Sequence, residues 1–445
     1  MTAKTKEKRL AYHGFSVDEL GAEKTFCGDD AFNVDCRNGR LTTATGCRLV
    51  VDAFNNTITV PENSMKRFFQ GVVKTETGDL EKVYFSVWNA GALSMFQSGK
   101  GWIVLGEIAP FDCLSVRVEN GEVWNVLLTD LGVYVVKQFG VLEQKESMAC
   151  LAGCFLGERM FYGCKNGEIV YSKPSDPTMV MDSIEDGGRL YLPADSGEIV
   201  AMKGVGGTVY AFCERAVYAV KTQAKANEFV VRRVAYDGGR IVKNGVAVLG
   251  DVVLILAEDG AYRMQNDVIK KAFERLHFDR IDVTRGCEYG CFEGKATFSF
   301  YVYKRTGYAR KSVTLYADGK SGYFTDVYTA LSGGENGAFF LKGNTLSAFG
   351  GPYEPFSSAP SFCARQTDLG VFGRKTLKKM RVYGTGEATL VVTCEQGQRE
   401  YRLQFRKGVA ETRLVESGFS FAFAFRPKLD SVLDGADVEF LCVEE

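Results

Sequence analysis

The chain carries little of the usual apparatus of catalysis. Only His13 and His277 are present, so a Ser-His-Asp or Cys-His site has to draw its base from one of them. His13 lies in a polar N-terminal stretch and His277 between Leu276 and Phe278, contexts that suit a surface or a satisfied core imidazole. Cys150 and Cys154 share a CxxxC spacing, as do Cys287 and Cys291. Zinc sites use closer cysteine pairs or companion histidines, and none is near. Gly204-Val205-Gly206-Gly207 runs into Thr208-Val209-Tyr210, a strand run, whereas a phosphate cradle needs a helix N-terminus; it reads as a β-turn. The adjacent acids Asp29-Asp30 and Glu185-Asp186 suit solvated loops better than a glycosidase pair. The expectation is a protein without catalytic residue, cofactor or metal, and so not an enzyme.

Candidate interface residues stand out more clearly. The densest positive cluster is 374–381 (RKTLKKMR), with Arg374, Lys375, Lys378, Lys379 and Arg381. If extended, its alternation splits the charges between two faces. That reads as a solvated strand guarded against aggregation, or as an interface with an acidic partner or with DNA backbone. Tyr353 and Phe356, in the Pro-containing stretch 351–356, are aromatic anchors for a neighbour or fasteners of a linker.

Composition sets the frame in which these residues work. Lys and Arg number 54 against 55 Asp and Glu, a net charge of -1, which argues against a protein that works by coating nucleic acid or an anionic membrane. The 46% hydrophobic content rules out disorder, and 49 Gly with 9 Pro and 12% aromatics favour many short strands joined by turns. No apolar run reaches membrane-spanning length and no apolar stretch follows the basic start, so neither a membrane span nor a secretory signal is expected. The 13 cysteines are scattered through apolar runs and read as reduced core thiols made in a cytosol.

A repeat organises the middle of the chain. Short β-rich runs joined by polar or Gly-containing turns recur at 82–97, 122–137, 159–173, 208–221, 251–265 and 338–350. Turns such as Lys165-Asn166-Gly167, Glu258-Asp259-Gly260 and Lys342-Gly343-Asn344 supply residues that tolerate positive φ, as hairpins demand. The spacing of about 40 residues is that of a four-stranded propeller blade. A gap of twice that length implies a degenerate unit near Lys295, where 296–303 and 312–317 make a longer hairpin. The expected fold is all-β, a six- or seven-bladed β-propeller over 40–355, preceded by an N-terminal arm (1–39) and followed by a C-terminal antiparallel β-sandwich (356–445). A short helical turn is expected at 16–23 and a linker at 352–360. Strand-like runs at 388–393, 399–405 and 419–425, the last with Phe at every second position, supply the sandwich.

In the strand and corner at 169–177 (IVYSKPSDP) and in the segments 190–200, 208–220 and 238–264, the central block resembles the tail hub and packaged-DNA stabilisation proteins of tailed bacteriophages. Ile169-Val170-Tyr171-Ser172-Lys173-Pro174-Ser175-Asp176-Pro177 is similar to a family strand and its "YS-x-P-x-DP" corner. Further out, 33–46 is similar to the family's N-terminal opening, with Ala44-Thr45 where arginine is usual, and 368–382 to the start of its C-terminal β-domain. The resemblance implies a structural, non-enzymatic subunit of the virion tail or head-to-tail connector, assembled in the host cytoplasm. It implies a homo-oligomeric ring, a hexamer, that meets the portal or adaptor ring and tail fibres and touches packaged DNA in its lumen. A propeller that binds carbohydrate or a protein is the alternative, and a propeller glycosidase or lyase a more distant one.

Overall fold

The computed structural model describes residues 5–16, 25–60, 65–75, 77–88, 91–118, 120–180, 187–222, 229–274, 276, 278–305, 307–335, 337–350 and 359–443. Nearly all its regular structure is β, the exceptions being three 3-10 turns at Arg37–Gly39, Lys165–Gly167 and Ala194–Ser196. Six separate four-stranded antiparallel sheets make a β-propeller: five follow one another along 65–272 and the sixth spans 329–349. The first four strands of a ten-stranded sheet, Cys287–Phe292 to Gly322–Thr325, complete the ring between the fifth and the sixth.

Every hairpin read from the sequence forms the second and third strands of one of these units, for example Arg159–Cys164 with Glu168–Tyr171 and Val252–Ala257 with Gly260–Gln265. The turn residues behave as their chemistry requires, with Asn166 at φ 60° and Gly343 at φ 63°. Second strands are apolar on both faces, and Val252–Ala257 (VVLILA) is buried throughout. Each face packs on a different neighbour. One core joins the third and fourth units through Phe161, Ile169, Met202 and Val209, and another joins the fourth and fifth through Phe212, Val217, Val246 and Ile255. Such cores continue round the ring, which is why one blade alone is not a stable unit.

Ring closure uses a strand from far away. Cys47–Leu49 pairs with Thr345–Phe349 and supplies the outer strand of the last blade. The N-terminal stretch expected as an arm is instead built into sheets. Thr5–Tyr12 runs antiparallel along 436–443, and Phe26–Phe32 pairs with Ser361–Ala364 while touching Gly322–Thr325 through one parallel bridge, Phe32 with Phe324. Strand pairing therefore crosses both boundaries drawn at 39/40 and 355/356, because an edge strand takes whichever partner tertiary packing brings to it. These strands and those of 375–443 form a seven-stranded sheet and the remaining six strands of the ten-stranded one, two layers around a shared core of Phe15, Phe26, Leu377, Leu390, Phe423 and Phe440. In the alternating Phe run, Phe421, Phe423 and Phe425 are fully buried, whereas Phe419, ahead of the strand Ala422–Pro427, is exposed. Most of the helical turn expected at 16–23 and most of the linker expected at 352–360 lie outside the described residues; Ser16 itself ends the short strand Phe15–Ser16.

Candidate functional site

The innermost strands of the propeller surround a central channel with a cavity of about 250 Å³. Its polar lining includes Arg67 from Met65–Lys74, Asp112 from Asp112–Arg117, Lys203 from Ile199–Val205, and Glu288 and Tyr289 from Cys287–Phe292. Glu335 comes from the glycine-containing return after Thr329–Ser332. That return passes close to the neighbouring strand through a parallel bridge between Gly290 and Gly334, and Cys291 N donates to Gly334 O at 2.8 Å. A Cβ on Gly290 would lie 2.5 Å from Ala338 Cα, so only glycine lets the two segments meet and sets Glu335 over Tyr289.

Lys203 reaches across the channel. Its Nζ pairs with Glu335 Oε1 at 2.7 Å and donates to the Tyr289 hydroxyl, which itself donates to Glu335 Oε1 at 3.0 Å. One ammonium thus ties three non-consecutive parts of the ring. Burial works against the Lys203 charge, yet Glu335 and Asp112 together outweigh it and its pKa is raised. For Asp112, burial dominates over the attraction of Lys203 and the hydrogen bond from Cys113 N, and its pKa is raised. Burial likewise raises Glu288 against its ion pair with Arg310, and lowers Arg67 against Glu288 and Asp112. Charges of both signs thus line the channel: Lys203 pairs with Glu335 and Arg310 with Glu288, while Asp112 and Arg67 act on these groups and on each other at longer range.

The Asp112 shift makes a pH prediction. A carboxyl whose folded pKa lies above its ordinary value favours folding most below that ordinary value, and the benefit is lost as pH rises through the folded pKa. Above its ordinary pKa, Asp112 therefore subtracts from stability relative to an uncharged side chain. The variant Asp112→Asn is expected to melt modestly above the wild type at pH 7, with the difference shrinking as pH falls towards 3. Thermal melts across that range check it, and a variant that melts lower at pH 7 contradicts it.

Sequence reasoning did not single out these channel residues. Their signal is a charge inside an otherwise apolar first strand, as in Ile199–Val205 (IVAMKGV) and Cys287–Phe292 (CEYGCF), but the partners lie far apart along the chain. The predicted interface cluster divides. Arg374 and Lys378 are exposed. Lys379 pairs with Glu411 at 2.6 Å, and Arg381 with Glu411 at 2.8 Å and Glu439 at 3.4 Å. Lys375, expected with its neighbours at a surface, is instead buried: it is 1% exposed, and its Nζ donates to the carbonyls of Asp368, Val371 and Phe419 at 2.9, 2.7 and 2.7 Å. An ammonium in the strand interior serves there because three carbonyls converge on it. Tyr353, Phe356, His277 and Glu185-Asp186 lie outside the described residues, while His13 is exposed.

The cysteines and the glycine run serve the fold. Cys150 and Cys154 belong to different cores, so their spacing does not bring them together. Among the described residues no cysteine is in a disulfide, and burial pushes the Cys154 and Cys213 thiols up to about 12. Gly206 and Gly207, with φ of 56° and 79°, form the tight turn between Ile199–Val205 and Thr208–Cys213.

No protein-family model matches the chain, and no curated protein matches it. Among solved structures it is similar to virginiamycin B lyase from Staphylococcus aureus with quinupristin, at 11% identity and TM-score 0.42, covering 66% of this chain and 97% of that one. It is also similar to BBS1N in complex with ARL6DN, at 10% identity and TM-score 0.43, covering 68% and 97%. Kluyveromyces lactis Hsv2 follows at 11% identity and TM-score 0.33, covering 53% and 83%. At these values the likenesses carry no inference about what this chain binds or does.

Proposed function

We propose that the chain is a structural subunit of a tailed-phage virion, a ring component of the tail or head-to-tail connector that helps close the DNA channel and docks other tail parts. In this reading the propeller is the rigid spacer. The two sheets around Phe15 and Phe423 are the β-sandwich, with the N-terminal strand acting as its strap. The observation that carries the ring reading is an apolar knob on this second unit. Phe372 is 95% exposed, with Val415 and Phe419 also exposed, and the Lys375 ammonium binds carbonyls of both Val371 and Phe419. An aromatic held out on an anchored loop suits a neighbouring subunit.

The family resemblance adds support through its most distinctive corner, 171–177. Ser172 is buried, and its Oγ accepts from Met160 N at 3.0 Å; Ser175 takes φ 59°, and Asp176 accepts from Thr178 N at 3.0 Å. These are folding roles, which the corner performs within the third blade. Sedimentation velocity and electron microscopy of the purified chain test the proposal. The expected result is a closed ring, a hexamer, that Phe372→Ser dissociates; a strict monomer at high concentration, absent from virions, overturns it. The polar channel favours a second reading, a propeller that binds a ligand through its central cavity.

A further inference from the structure

We propose that the propeller channel around Arg67 binds a small oxyanion, either inorganic phosphate or the phosphate of a small monoester. The inference stands apart from the ring reading and concerns the channel alone. Five basic and three acidic side chains border the cavity, a local positive surplus in a chain whose net charge is -1. A desolvated concave site with such a surplus concentrates anions.

Of the cavity's cations that are not exposed, Arg67 is the one the protein serves least. Among the described residues its guanidinium makes a single hydrogen bond, from Nη1 to Pro110 O at 3.3 Å, and no ion pair. Glu288 and Asp112 act on it only at longer range, while burial lowers its pKa. Arg310, by contrast, is committed to Glu288 and to Ser299 Oγ at 2.9 Å, and Lys203 to Glu335 and Tyr289. Lys243, an exposed residue of Ile241–Leu249 that borders the same cavity, has no hydrogen bond or ion pair among the described residues.

A planar guanidinium with most of its donors unused matches two oxygens of an oxyanion at once. A bound anion also restores the stabilisation that burial takes from the Arg67 charge. A water molecule takes about 30 Å³ of liquid volume, so a cavity of about 250 Å³ has room for the ion with part of its hydration shell, or for a small monoester. Lys243 then supplies a second, solvent-side charge.

Isothermal titration of the full chain with inorganic phosphate, and separately with glycerol phosphate, tests the site at an ionic strength held constant with sodium chloride. The expected result is saturable binding of at least one of the two. Arg67→Gln is expected to weaken it about tenfold or more, and Lys243→Gln about threefold. Binding of phosphate alone assigns the site to the free ion; binding of the ester assigns it to a phosphorylated small molecule. No saturable heat with either probe overturns the proposal, as does wild-type affinity in both variants. Because Lys243 is exposed, its variant keeps the test decisive even if Arg67→Gln fails to fold.

Discussion

Lys375→Met is expected to lower stability by about 4 kcal/mol, read as a fall in the denaturation midpoint of the unit that contains 375–443. The Lys375 ammonium is the shared donor for the carbonyls of Asp368, Val371 and Phe419. Methionine fills the same space but leaves three acceptors without that partner, and each lost bond to a charged group costs about 1.5 kcal/mol or more. Lys375→Arg is expected to fail as well, since a planar fork does not reproduce a donor that points at three separated carbonyls. The substitution also releases the loop that presents Phe372, so any self-association should weaken together with stability. A loss below about 1 kcal/mol would mean that the carbonyls find other partners and that the lysine is not the anchor.

Asn125→Ala should cost a similar amount, about 3–4 kcal/mol, at the junction of the first two blades. Asn125 is 0% exposed, and its amide is fully used. Its Nδ2 donates to Val72 O at 2.8 Å and Val136 O at 3.1 Å, while Oδ1 accepts from Val72 N at 3.0 Å and Ser115 Oγ at 2.7 Å. Val72 belongs to Met65–Lys74, the innermost strand of the neighbouring blade, so one side chain stitches two sheets where no backbone ladder joins them. Packing leaves no slack: a Cβ on Gly71 would lie 2.5 Å from Asn125 Oδ1. Denaturation measures the total loss, and hydrogen exchange localises it, with Val72 N–H expected to lose protection first. A near-neutral Asn125→Ala with Val72 still protected would show that the junction is held by apolar contacts alone.

The two residues differ in how legible they were. Lys375 is visible as a basic residue in an alternating strand and reads with its neighbours as surface, because local pattern cannot show that Asp368, Val371 and Phe419 turn their carbonyls towards one point. Asn125, in the apolar run Val123–Leu128, belongs to a hairpin that the repeat located correctly while giving no hint of its interblade role. The same limit hid the channel. Lys203, Tyr289 and Glu335 are 86 and 46 residues apart, and only curvature of the sheets into a ring brings them within one hydrogen-bonded group.

What the amino-acid order determined by itself is the local unit: a two-residue periodicity broken by turns, doubly apolar second strands, and positive-φ positions occupied by Asn and Gly. Those properties depend on neighbours a few residues away, so the hairpins and their spacing of about 40 residues follow from pattern alone. Tertiary structure decided the pairing of open edges. It placed Cys47–Leu49 on the last blade and Thr5–Tyr12 against the C-terminal strand, and it decided which charges face the axis. An unpaired strand edge accepts any strand of suitable register, and a lone buried charge accepts any counter-charge. Which one it meets is settled by the packing of whole sheets.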